Sequence, residues 1–181
     1  MKKYIFAFIT TIVMFLLQTT IFPRIAIKDV MPNLLLVCVT VFGFVYGRRL
    51  GMFTGVLCGI LHDVMYSSVI GLVVILYVLI AYVNGSVIKQ YFSKNYIILV
   101  VTFALSDLAF NLLYFITRFL LRGRIEFITF FVQIMLPEMI YTSIWGLIIF
   151  SIVSLIDKKI YPPREVFAKV GDVKIKSQIK E

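Results

Sequence analysis

The chain has 181 residues, of which 61% are hydrophobic and 15% charged, and its mean hydropathy is +1.02. A soluble domain cannot cover that much apolar side chain, so the composition points to an integral membrane protein. The 18 Lys and Arg against 9 Asp and Glu give a net charge of +9, but these cations lie between apolar runs and in the tail. Such a pattern argues against nucleic acid and for anionic lipid headgroups.

Lys2-Lys3 followed by the apolar run 4–22 resembles a signal peptide at first sight. No small-residue cleavage site follows, and Phe22-Pro23-Arg24 ends the run, so it reads as a retained helix long enough for a core of ~30 Å. Its polar residues, Thr10, Thr11, Gln18, Thr19 and Thr20, are expected to hydrogen-bond to other helices. Pro32 suits the first turn of a second helix, where a missing N–H does no harm.

Glycine then recurs every fourth residue, at Gly43, Gly47, Gly51, Gly55 and Gly59, and the next step lands on Asp63. A step of four turns ~400°, so Gly51, Gly55 and Gly59 form a slowly drifting stripe with Asp63 at its end. In lipid, such a stripe lets helix backbones approach closely. Arg48-Arg49 interrupts the ladder and is expensive at membrane depth, so the spacing predicts two short helices, 33–46 and 50–63, joined by a basic turn. Both are short for a full span and are expected where the bilayer thins, or to extend beyond its apolar core.

A fourth helix is predicted over 69–88, with Gly71 near its start, and a fifth over 96–119, where Asp107 and Asn111 share a face. A sixth, 127–156, carries Pro137-Glu138, which should kink it or free a carbonyl. The result is an all-α, polytopic, six-helix transmembrane bundle over 1–156, followed by a cytosolic polybasic tail, 157–181. With both termini cytosolic, the inside holds Lys2, Lys3, Arg48, Arg49, Lys89, Lys94 and the tail cations; the outside holds Arg24, Lys28, Arg118, Arg122 and Arg124. The positive-inside rule favours this orientation, mostly through the tail. Arg48, Arg49, Lys158 and Lys159 are the expected membrane-surface cations.

Three carboxylates approach or enter the membrane: Asp63, Asp107 and Glu138. Asp107 and Glu138, with Asn111, are expected to meet near mid-membrane as a polar knot locking the fifth and sixth helices, a proton relay or substrate pocket being the alternative. Asp63 is expected to cap either the Ser67-Ser68 turn or the start of the fourth helix. His62-Asp63 lacks further ligands or a nucleophile, and Cys38 and Cys58 read as free buried thiols. No catalytic, metal or cofactor motif stands out, so an enzyme is not expected.

The stretch 32–85 resembles the signature region of the rod-shape-determining MreD family. The residues that carry the likeness are Pro32-Asn33-Leu34-Leu35, Gly47-Arg48-Arg49, the stripe Gly51/Gly55/Gly59, Asp63, Gly71-Leu72 and Tyr77. The turn after Asp63, VMYSSVIG, lacks the glycine usual there, and the lysine-rich tail has no counterpart. The resemblance implies a non-catalytic scaffold in the bacterial cytoplasmic membrane, part of the cell-elongation machinery that couples peptidoglycan synthesis to the actin-like cytoskeleton. Its implied partner is a single-span MreC-type protein, alongside other elongation-complex membrane proteins; a homodimer stays open. Gly47, Gly51, Gly55, Gly59, Asp63 and Gly71 are the expected helix-packing and partner interface, a groove in the second and third helices receiving the partner's span. The alternative is the substrate-binding membrane subunit of an energy-coupling-factor vitamin transporter, which is also small, basic and six-helical.

Overall fold

The computed structural model describes residues 2–26, 30–66, 71–88, 96–122 and 127–160. They are helical almost throughout: α1 (Lys2–Thr20), a short 3-10 turn (Phe22–Arg24), α2 (Leu34–Tyr46), α3 (Arg48–Tyr66), α4 (Leu72–Val83), α5 (Tyr96–Arg122), α6 (Phe127–Phe130) and α7 (Leu136–Ile160). A π turn, Asn84–Ile88, continues α4, and another, Phe131–Met135, joins α6 to α7. Two compact units divide the chain, residues 1–149 and residues 150–181. Within the described part of the second unit, the chain is the last stretch of α7, ending at Ile160. The tail beyond it, expected to be polybasic and cytosolic, lies outside the described residues.

In the first unit α2 is the central helix. Every residue from Leu34 to Phe44 is buried, as suits a helix that is apolar on all sides. The other helices are two-faced, but both faces are apolar. α1 buries Ala7, Thr11, Met14 and Gln18 and exposes Ile5, Phe8, Ile9 and Leu16. α3 buries its glycines and exposes Phe53, Val56, Ile60 and Val64. Exposed aliphatic stripes of that kind call for a cover of lipid or of another apolar protein surface. Among the described residues, three helical stretches are long and apolar enough to cross a membrane: Lys2–Arg24, Leu99–Ile116 and Ile128–Ile156.

Successive helices from α1 to α5 run antiparallel. The Lys3 ammonium lies 5.2 Å from the Tyr46 ring centre and the Arg48 guanidinium 5.5 Å from that of Tyr82. These contacts gather the start of α1, the end of α2, the start of α3 and the end of α4 at one end of the bundle. Tyr77 packs on Phe110 at 5.1 Å, and Phe115 on Phe130 at 5.1 Å, which ties α4 to α5 and α5 to α6.

Three places show the clearest departures from the sequence expectation. Only Gly47 separates α2 from α3, so Arg48-Arg49 forms the first turn of α3 rather than a connecting turn. Gly47 adopts φ +88°, its N–H donates to the Gly43 carbonyl at 2.9 Å, and its own carbonyl accepts from Gly51 N–H at 3.0 Å. A left-handed residue closes one helix while opening the next, and glycine does so without strain. Gly71, at φ +103°, likewise precedes α4, whose described part starts at Leu72; the expected start at 69 lies outside the described residues. Finally, the irregularity expected at Pro137 takes the form of the π turn just before it. Proline supplies no N–H to the preceding turn, and a widened turn accommodates that loss.

Candidate functional site

The glycine stripe packs inside the chain. A Cβ on Gly59 would stand 2.4 Å from Val74 Cα, one on Gly55 3.0 Å from the Tyr77 carbonyl oxygen, and one on Gly51 2.5 Å from Gly43 Cα. Thus Gly55 and Gly59 meet α4, and Gly51 meets α2. The surface that these small residues create is packed within the chain by α4 and α2. Periodicity identified a close-packing face and could not say which helix covers it. Asp63 terminates the stripe as a cap for α4, its Oδ2 accepting from Gly71 N–H at 2.7 Å and its Oδ1 from Val73 N–H at 3.4 Å. Of the two capping roles considered, this geometry matches the one at the start of the fourth helix.

A polar network surrounds the buried first turn of α2. A helix start inside an apolar bundle leaves N–H groups that need partners. Asn33, the N-cap, accepts at Oδ1 from Leu36 N–H (3.0 Å) and from the Tyr77 hydroxyl (2.9 Å). Leu35 N–H donates to Gln18 Oε1 of α1 at 3.0 Å, and Asn33 N–H donates to Thr142 Oγ1 of α7 at 3.2 Å. Thr142 in turn hydrogen-bonds to the Asp107 carboxyl of α5. Since its oxygen already accepts from Asn33, the threonine's single proton points to Asp107. Asn111 Nδ2 donates to Asp107 Oδ2 at 3.3 Å, and the Asn111 side chain also hydrogen-bonds to Glu138.

The chain Tyr77–Asn33–Thr142–Asp107–Asn111–Glu138 therefore joins α4, α2, α7 and α5. Asp107, Asn111 and Glu138 come together. The network that holds them also enlists Asn33, Tyr77 and Thr142, which the sequence reading had not singled out as site residues. Asn33 carried a signal, since Pro-Asn before an apolar run is a helix-start signature. Thr142 carried none, because its partners are far away in the chain, and Tyr77 stood out only through the family resemblance. Asp107 is fully buried, and its Oδ1 has no hydrogen-bond partner among the described residues.

A second cluster sits toward the other end, where Asn84 Nδ2 donates to Thr40 Oγ1 (3.3 Å) and to Ser106 Oγ (3.0 Å). Cys38 and Cys58 are free and buried, each 3.8 Å from Thr11 Oγ1. Arg48 and Arg49 are exposed at the end of the bundle that carries Lys2 and Lys3. Lys158 and Lys159 lie in the last turn of α7. No group of three or more His, Cys, Asp or Glu suited to a metal ion occurs among the described residues.

Beside the network, at the end where α1 stops and α2 starts, a cavity of about 230 Å³ opens. Gln18, Asn33, His62, Asn111 and Glu138 are its polar lining, and Tyr66, Phe110, Tyr114 and Phe130 supply aromatic walls.

The order of these features (a capped central helix, a one-glycine break, a glycine-packed hairpin, an aspartate capping the next helix) spans most of the chain. Residues 1–160 match the family model of the rod shape-determining protein MreD. The chain belongs to the MreD family. MreD proteins are shape-determining, non-enzymatic membrane proteins. No curated protein and no solved structure matches the chain, and nothing in these comparisons points to a vitamin-transporter subunit.

Proposed function

We propose that this MreD-family chain is a non-catalytic scaffold of the bacterial elongation machinery, coupling peptidoglycan synthesis to the actin-like cytoskeleton through an MreC-type single-span partner. The family match over residues 1–160 is the observation that carries this reading. The structure lends support in one respect: its buried polar groups are largely engaged in capping helices and joining them, which suits a rigid frame. In this reading all six helical segments cross the cytoplasmic membrane, both termini are cytosolic, and residues 157–181 form a basic tail against anionic lipid. The alternating helix directions, and the clustering of Lys3, Arg48, Tyr46 and Tyr82 at one end, fit that topology.

Because the glycine stripe is filled from within, the partner's span must rest on one of the exposed apolar faces. Gly55→Leu would then deplete the folded chain itself rather than weaken the partner complex selectively. The test is depletion of the chain in its native bacterium, together with affinity purification from the membrane. Rounded cells and co-purification of an MreC-type protein are expected. Unchanged cell shape on full depletion would overturn the proposal.

A further inference from the structure

The cavity beside Glu138 is not explained by a scaffold role, and its lining has a definite chemistry. Three amides of the first turn of α2 (Asn33, Leu35 and Leu36) are already bound to Thr142, Gln18 and the Asn33 side chain. That helix start therefore has little left to offer an anion. The Asn111 side chain is shared between Asp107 and Glu138. Glu138 lines the cavity, and as the carboxylate that an entering ammonium favours it offers up to four acceptor sites. Behind this wall sits the fully buried Asp107, whose Oδ1 has no hydrogen-bond partner among the described residues. Among the described residues no Lys or Arg lines the cavity.

The opposite surfaces are π faces and edges. Phe110 and Tyr114 stack at 5.6 Å with a 15° interplanar angle, and the His62 ring meets both, at 6.0 and 6.5 Å, and Tyr66 at 5.2 Å. Aromatic walls with a carboxylate and no fixed cation are the surroundings that favour an organic ammonium, through cation–π attraction and charge-assisted hydrogen bonds. The volume selects further. About 230 Å³ falls below the roughly 300–1,000 Å³ of sites for drug-sized ligands. It suits a headgroup-sized amine.

The geometry points to a binding site for a small organic ammonium group at this cavity, seated between the Glu138 carboxylate and the aromatic walls of Tyr66, Phe110 and Tyr114. The inference is independent of the partner assignment above. The same chemistry has two sources, an aminophospholipid headgroup or a soluble amine.

The full-length chain in an uncharged detergent, titrated with ethanolamine or choline while thermal unfolding is followed, examines the soluble source. The chain in nanodiscs of phosphatidylglycerol, with or without phosphatidylethanolamine, examines the lipid source. A saturable rise in unfolding midpoint, on the order of 5 °C near a hundredfold excess over Kd, is expected in at least one arm. The responding arm names the source. Glu138→Gln should weaken the response about 30-fold or more, since it leaves the ammonium without its counter-charge. Should that variant not fold, Tyr66→Leu, on the exposed rim, should weaken it several-fold. No response in either arm, an equal response to inorganic phosphate, or an unaltered response in the folded variant would overturn the inference.

Discussion

Replacing Gly59 by alanine tests the packing of α3 on α4 with a single methyl group. That Cβ would stand 2.4 Å from Val74 Cα and 2.9 Å from Val74 N, where ordinary contact begins at 3.4 Å. Both obstacles are backbone, so no side chain can rotate away, and the helices must separate by about 1 Å. A gap of 0.5–1 Å forfeits roughly a quarter to a half of each contact's attraction along the seam. Overpacking of this kind costs about 1–3 kcal/mol, and backbone obstruction places Gly59 at the upper end. Alanine recovers about 1 kcal/mol through its better helix propensity. The expected net loss is about 2 kcal/mol, roughly a 30-fold shift in the folding equilibrium. At Gly55 the nearest obstacle is the Tyr77 carbonyl oxygen at 3.0 Å, which needs a displacement of a few tenths of an ångström. There the two effects nearly cancel, so Gly55→Ala should lie within about 1 kcal/mol of the parent. Ile60→Ala, on the lipid-facing side of the same turn, is the control. Reversible unfolding by SDS from mild-detergent micelles, followed by the fluorescence of Trp145, measures all three. A Gly59→Ala variant as stable as the parent, or less affected than Gly55→Ala, would show that α3 and α4 do not pack as described.

Thr142→Val should cost about 2–4 kcal/mol in the same assay, because it strips a partner from Asn33 N–H and a donor from Asp107, whereas Thr142→Ser should retain most stability; equal effects of the two would refute the Asn33–Thr142–Asp107 hydrogen-bond chain. Asp107→Asn should fold and sustain cell shape, since an amide still accepts from Thr142 and Asn111; normal folding with loss of shape would indicate a titrating role instead. In intact cells an impermeant thiol reagent should label Arg24→Cys but not Lys3→Cys, and labelling of the second from outside would reverse the topology.

The sequence by itself determined what is local. Apolar run length defined the helices to within a few residues, because the bilayer demands continuous backbone hydrogen bonding from each segment. The four-residue glycine step fixed a close-packing face, and Asp63 could be read as a cap from its position at a helix end. Asp107 and Asn111 had to share a face because helical geometry leaves no alternative. The tertiary structure decided what meets those faces. The stripe is filled by α4 and α2 rather than by a partner, since periodicity specifies a surface but not its occupant. The knot around Asp107 depends on Thr142 reaching Asn33, 109 residues away, and on Gln18 capping a helix that starts 16 residues later. Such pairings exist only once the helices have docked, and no spacing rule within a single helix encodes them. The cavity at Glu138 is the space left between those docked helices, so its amine-sized volume, too, is a property of the fold alone.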